Sequence, residues 1–437
     1  MRAITRRALL RSGLTWCAVS PWLKPLGAIA DTDASPPAPQ MSPGVTDTEI
    51  VLGISAAFSG PSRGLGIELY RGASAYFDHV NEQGGIAGRN VILKTYDDGY
   101  QPAPSVKNTL KLMLQDQVFL LFGYVGTPTV TRVLPMLKKF QDRNIFLFFP
   151  FTGAQPQREP PYGDFAFNLR SSYRQETAGL VDNFVGINRK RIAVFYQADA
   201  YGRSGWAGVR RALKHYGRQI AGEATYRRGT RFTASLRRQV EILKACQPEA
   251  VICIGSYAAC AGFVRDAVNL GLQVPIANLS FVGSENLLKL LSHWALTEGR
   301  GDIESYTRLL VNSQVVPSYE EASMPAVREY RDLMRLHNPQ PPIELLKEPY
   351  LPSEHSFVSL EGFINAKLMV EILRRLGDKP ERSQLERTVF TVQDFDLGID
   401  ERASFGPDRR QGLQQVYYTV VDEGRFVMLD NWEDRFA

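Results

Sequence analysis

Gly60-Pro61-Ser62-Arg63-Gly64 is the first run whose residue types and spacing could do chemistry. It fits the Gly-x-Ser-x-Gly elbow that presents a nucleophilic serine in α/β hydrolases. That chemistry needs Ser62 on a sharp strand-to-helix turn, with an acid and a histidine following in the chain. His355 stands late enough to serve, but no local pattern supports it, and Pro61 fits a loop turn better than a strained elbow. Cys246, Cys253 and Cys260 are evenly spaced by seven, which suggests metal ligands. Yet Cys246 ends a helical pattern, Cys253 lies in an apolar run and Cys260 falls in the next helix. The three thiols should therefore point apart and pack in the core. His79, His215, His293, His337 and His355 show no zinc-ligand spacing. No phosphate loop, metal-binding helix or dinucleotide fingerprint is present, so no cofactor or metal is expected. The chain reads as a binder, with a serine hydrolase as the remote alternative.

Binding chemistry is open to three loops instead. They are Phe58-Ser59-Gly60-Pro61, Gly123-Tyr124-Val125-Gly126-Thr127-Pro128-Thr129 and Pro150-Phe151-Thr152-Gly153-Ala154. Glycine permits close backbone approach, and serine or threonine can cap a helix. Free N–H groups at a helix start, beside a hydroxyl, can hold a carboxylate or another acceptor. Any one such loop could be an ordinary capped turn; three in one region favour a site.

Each loop joins a predicted strand to a predicted helix. Strands are expected at 50–54, 91–96, 118–122, 145–149, 191–196 and 250–255. Helices are expected at 65–81, 105–115, 129–141, 175–184, 204–216, 233–245 and 258–270. Short continuous apolar strands separated by helices indicate parallel sheets covered on both faces. About 400 residues are too many for one such core, so two doubly wound α/β lobes are expected. In such sheets, ligands bind at the carboxyl ends of the strands, where these loops lie.

The N-terminus reads as an export signal over residues 1–30. Arg2, Arg6, Arg7 and Arg11 form a basic start, and Thr5-Arg6-Arg7-Ala8-Leu9-Leu10 resembles the twin-arginine signature. A mildly apolar stretch, 12–23, is too short and interrupted to span a bilayer, which needs ~20 apolar residues. Ala28-Ile29-Ala30 offers a small-x-small cleavage site. Residues 31–45, rich in proline, serine and alanine, read as a flexible leader. Five of the 51 Lys+Arg lie in residues 1–30, which hold no acidic residue; the remaining 46 face 46 Asp+Glu. The formal charge of +5 thus belongs to the signal, and nothing suggests nucleic acid or a membrane surface as partner.

Further runs carry a family resemblance. Besides the three loops these are Asn81-Glu82-Gln83-Gly84-Gly85-Ile86-Ala87-Gly88, Tyr96-Asp97-Asp98, Tyr201-Gly202 and Ser359-Leu360-Glu361-Gly362. Together, in order from about Ile50 to Met428, they resemble the branched-chain amino-acid binding proteins, type I periplasmic binding proteins of ABC transporters. The resemblance implies two lobes that close on ligand like a hinged clam, 46–169 plus 317–408 and 170–316 plus 409–437. It implies a periplasmic monomer that hands a small ligand to an ABC permease; a sensor kinase or chemoreceptor is the alternative partner. Gly126 and Thr127 match the loop that holds the ligand's carboxylate, and Thr152 and Gly153 match the second such loop. Ser59 stands on the first loop, while Tyr201 and Tyr257 match positions that close over the ligand. Phe281 stands where amino-acid binders place an acidic partner for the ammonium, and Leu65 where an aromatic residue is usual. Tyr100 and Gly126 occupy positions of a cysteine pair found in some members. A carboxylate, amide or aromatic acid therefore suits this pocket at least as well as an ordinary amino acid. If Arg6-Arg7 directs folded protein through the twin-arginine route, replacing both by Lys should sharply reduce the periplasmic fraction, as immunoblotting of cell fractions would show.

Overall fold

The computed structural model describes residues 41–298 and 302–436, so the expected signal, residues 1–30, lies outside them. Strand β1, Glu49–Ala56, is buried along most of its length on both faces, as a strand sandwiched between helices must be. Helix α1, Arg63–Glu82, follows, then β2 Asn90–Asp97, α2 Pro102–Leu114, β3 Leu120–Phe122, α3 Thr127–Lys139, β4 Leu147–Phe148 and β5 Ala166–Phe167. These strands form one wholly parallel sheet in the order β2-β1-β3-β4-β5, the centre of lobe 1.

The second round builds lobe 2: α4 Tyr173–Gly186, β6 Ile192–Gln197, α5 Ala200–His215, β7 Glu223–Tyr226, α6 Arg237–Ala245, β8 Ala250–Ile254, α7 Tyr257–Asn269 and β9 Ile276–Asn278. After α8, Ser284–Thr297, and α9, Glu304–Thr307, comes β10, Leu310–Gln314. Helices α10 Pro325–His337, α11 Phe357–Arg375 and α12 Leu385–Phe390 follow, and α10 and α11 pack on α1. A small hairpin, β11 Phe395–Asp396 and β12 Arg402–Ala403, precedes β13 Tyr417–Asp422, β14 Arg425–Met428 and the short α13 Trp432–Phe436. The second sheet runs β14-β13-β10-β9-β8-β6-β7. Only its last two strands are antiparallel.

The two-lobed α/β fold expected from the alternation is the one observed, with differences that have physical reasons. Strand β7 lies where no strand was expected, because it alternates exposed and buried residues at a sheet edge rather than forming an apolar run. The leader expected over 31–45 is not loose from Met41 on. Val45 is buried, Gly44 O accepts from Val51 N at 2.8 Å, and a Cβ at Gly44 would lie 2.0 Å from Phe119 N. Cys253 and Cys260 are fully buried, as a core role predicts, whereas Cys246 at the end of α6 is only half-buried; burial first, and then the Cys260 thiol, push the Cys253 thiol up.

Two features of lobe 1 set up its cleft face. First, α1 and α11 touch backbone to backbone. A Cβ at Gly72 would sit 1.7 Å from Ser359 O, and one at Gly362 would sit 2.2 Å from Leu69 O. Second, the segment 338–354 between α10 and α11 is strapped over the first half of α1. Buried Arg71 donates to Pro339 O at 2.8 Å and Ser353 O at 2.6 Å, while buried Glu68 accepts from Ser353 N and Tyr350 Oη at 2.9 Å each. Alanine is the better helix former by up to about 1 kcal/mol, yet overpacking costs about 1–3 kcal/mol. Gly72→Ala should therefore destabilise the protein by about 2 kcal/mol, read as a lower urea midpoint at unchanged slope.

Candidate functional site

The three predicted loops lie at the carboxyl ends of lobe 1's strands, but they are held differently. In the first, Asp97 at the end of β2 accepts from Phe58 N at 2.9 Å, Ser59 N at 3.1 Å and Ser59 Oγ at 2.5 Å. Burial opposes its charge, yet these donors, Gly99 N and Lys347 hold the Asp97 carboxyl below its usual range. Ser59 is thus committed to Asp97. Its neighbour Ser62 precedes α1 and donates to Ser256 Oγ of lobe 2 at 3.2 Å. His355 packs instead against Tyr319 and Tyr330.

The second and third loops meet. Gly126, at φ 101°, starts α3, and the side chains of Thr127 and Thr152 lie 2.6 Å apart, hydroxyl to hydroxyl, both fully buried. Gly126 must be glycine for contact as well as conformation, since a Cβ there would lie 2.1 Å from Cε2 of Tyr100. Gly153 O accepts from Tyr173 N at 2.7 Å, which ties this loop to the start of α4. Arg158 fixes it from behind, donating to Thr152 O at 3.3 Å, Ala154 O at 2.7 Å and Arg170 O at 3.0 Å.

Lobe 2 presents aromatic rings to these hydroxyls. Phe281 packs on Tyr100 at 5.7 Å and Phe151 at 5.3 Å from lobe 1, and on Tyr201 at 4.7 Å from its own lobe. Tyr173 and Tyr201 lie 5.1 Å apart. The Tyr173 hydroxyl lies beside Thr127 and Thr152, and burial pushes it up. Neither it nor the Tyr201 hydroxyl makes a regular hydrogen bond, although both are buried. Gln197 Nε2 reaches Tyr100 Oη across the lobes at 3.2 Å, and Tyr226 donates to Gln197 Oε1 at 3.1 Å. Tyr257 stands apart from this cluster. Its hydroxyl accepts from Gly64 N of lobe 1 at 3.1 Å.

At the crossing between lobes lies Arg170, which sequence reasoning missed. It is buried, its guanidinium 4.7 Å from the Phe151 ring, and it donates to Ser280 Oγ. Glu176 of lobe 2 lies 3.6 Å away and Glu361 of α11 lies 3.4 Å away. Burial works against its charge, but Glu361 and Glu176 outweigh it and raise Arg170 above its ordinary value. Its Nε and Nη1 have no hydrogen-bond partner. Glu176 is also occupied by Ser280 N at 2.8 Å and Ser313 Oγ at 2.7 Å. The structure thus brings Gly126, Thr127, Thr152, Gly153, Tyr201 and Phe281 together and leaves Ser59 and Tyr257 outside that group. Arg170 and Tyr173 complete it; a lone arginine and a tyrosine at a helix start carry no spacing that could have singled them out. Among the described residues no cluster of His, Cys, Asp or Glu could hold a metal ion.

These residues lie between one lobe with a parallel sheet and one with a mostly parallel sheet, and the sequence matches the model of the family described as "Periplasmic binding protein" over residues 49–425. The chain belongs to the periplasmic binding protein family. Among curated relatives, an amino acid binding protein of Pseudomonas aeruginosa is 25% identical over 51% of this chain and 58% of its own length. The Leu/Ile/Val-binding protein homolog 3 of Brucella melitensis is 24% identical over 57% of this chain and 64% of its own. The match thus spans less than two thirds of either relative. A possible leucine/isoleucine/valine-binding protein from Rhodopirellula baltica superposes with a TM-score of 0.77 at 30% identity, covering 93% of this chain and all of that one. A substrate-binding periplasmic protein from Ralstonia solanacearum gives 0.75 at 27%, covering 87% and 99%. The chain is therefore a type I periplasmic binding protein of the branched-chain amino-acid group.

Burial raises the Glu361 carboxyl to about 7, with Arg170 opposing. Burial likewise raises Asp98 and Glu285 to about 7. A carboxyl whose folded-state pKa lies above its unfolded value stabilises the fold at low pH and loses that contribution as pH rises through the folded value. The protein should accordingly lose stability between about pH 5 and pH 8. Glu361→Gln should flatten part of that slope, so that thermal melting favours the variant progressively as pH rises.

Proposed function

We propose that this periplasmic binding protein captures a small acid or amide with an apolar or aromatic body and passes it to an inner-membrane ABC permease. Family membership supports a periplasmic location and a membrane partner. The observation that carries the ligand class is the imbalance of donors and acceptors in the cleft. The bonded Thr127–Thr152 pair has one proton left to donate, and Tyr173, Tyr201 and Arg170 have donors without partners, while Glu176 and Glu361 lie against Arg170 and Glu176 is further held by Ser280 and Ser313. An ammonium group here would lack a free counter-ion, and burying an unpaired charge is costly. A carboxylate or carbonyl would satisfy orphaned donors, and Phe151 and Phe281 would flank its apolar part.

Lobe closure follows from differential affinity. Donors on lobe 1, on the crossing and on lobe 2 can all engage one ligand only when the lobes are shut, so ligand favours the closed form. A thermal-shift screen of amino acids, aromatic acids, amides and dicarboxylates tests the ligand class. A true ligand at 100 times its dissociation constant should stabilise by about 2.7 kcal/mol. Thr127→Val should weaken that ligand by about 1–3 kcal/mol, through loss of a buried donor. A screen in which only α-amino acids stabilise, or full affinity in Thr127→Val, would overturn this reading.

A further inference from the structure

We propose that the mouth of the cleft holds a second binding compartment, which takes a small organic anion with an apolar or aromatic body. The inference goes beyond the inner site, because other residues, around a cavity of their own, carry it. A cavity of about 420 Å³ lies where the start of α1, the loop after β7, the first turns of α7 and α8 and the strap 338–354 come together. Ligand pockets of about 300–1,000 Å³ are the common range. Tyr257, fixed by its bond to Gly64 N, is part of the wall of this cavity.

The walls are amphipathic and their charge is unbalanced. Phe232, Leu290 and Leu351 supply apolar surface, and the cationic groups are Arg63, Arg231 and Lys289, against the single carboxylate of Glu348. Glu348 is shared, 3.1 Å from Arg63 and 3.7 Å from Arg231, so it neutralises neither fully. Arg63 Nε is buried and has no hydrogen-bond partner. Lys289 Nζ bonds Leu351 O at 3.3 Å and Ser353 Oγ at 2.8 Å, both uncharged; burial works against its charge, while Glu68 and Glu285 behind the wall favour it and Arg71 opposes it. Among the lining residues three cations face one carboxylate, which favours an incoming anion, and the apolar walls favour a hydrocarbon or aryl body attached to it. Because Arg63 and the strap belong to lobe 1 while Arg231, Phe232 and Lys289 belong to lobe 2, the compartment exists only when the lobes are closed.

The test uses the mature protein and two probes of equal shape, 4-phenylbutyrate and 4-phenylbutanamide, titrated by calorimetry. The acid should bind about tenfold tighter than the amide, as a charge-assisted contact implies. Arg231→Gln, whose side chain is 66% exposed and so cannot disturb the fold, should weaken the acid about fivefold and leave the amide unchanged. Lys289→Met should act in the same direction. Equal affinity for acid and amide, no binding of the acid, or no effect of Arg231→Gln would overturn the proposal. A loss in Thr127→Val as large as in Arg231→Gln would place the probe in the inner site instead, overturning this compartment while leaving the inner reading intact.

Discussion

The geometry of the cleft depends on one buried cation. Arg170 sits where the chain first crosses between lobes, and its guanidinium touches Glu361 of lobe 1, Glu176 and Ser280 of lobe 2, and the face of Phe151. Taking such a charge out of water costs several kcal/mol, so it persists only where carboxylates surround it. Two carboxylates on different lobes do so here. The same contact orders the loops around it, since Arg158 binds the backbone of Arg170 and of Thr152 together. Lobe orientation, the Thr152 loop and the floor of the cleft are in this way parts of a single electrostatic arrangement.

Above that floor, closure is held by contacts that are individually weak. Gly64 N to Tyr257, Ser62 to Ser256, Gln197 to Tyr100 and Tyr350 to Asn286 each join the lobes with one neutral hydrogen bond. Each such bond is worth on the order of 1 kcal/mol net. Their sum is comparable with the few kcal/mol that separate open and closed forms of hinged proteins, so in the proposed closure a ligand's contacts would decide the balance. The strap adds to this because Glu68 and Arg71 fix it on lobe 1 at Pro339 and Ser353, while its Tyr350, Leu351 and Ser353 also reach Asn286 and Lys289 of lobe 2.

How much of this was legible in the sequence depended on whether a feature was local. Apolar runs such as 250–254 and helical spacing such as 65–81 are local patterns, and they became β8 and α1. The threonine loops were legible because glycine and a hydroxyl beside a strand end make a recognisable turn. Strand β7 was missed because Glu223–Tyr226 is half exposed, and its identity comes from pairing with β6, thirty residues away. Arg170 was missed because nothing near it in sequence announces partners at 176, 280 and 361. Ser59 was selected for its loop, but Asp97, brought alongside by the register of β1 with β2, claims its hydroxyl.

The hydroxyl pair of Thr127 and Thr152 carries a consequence for selectivity. At 2.6 Å the two oxygens share one proton between them, and either can be the donor. The remaining proton can point outward from one side or the other, leaving the opposite oxygen with a lone pair to offer. The pair can thus rotate to meet an acceptor such as a carboxylate oxygen or a donor such as an amide N–H. A backbone N–H has no such freedom. The proposed inner site is in this respect ambidextrous: it would discriminate by the charge around it and by the aromatic walls rather than by the polarity of the hydrogen bond itself.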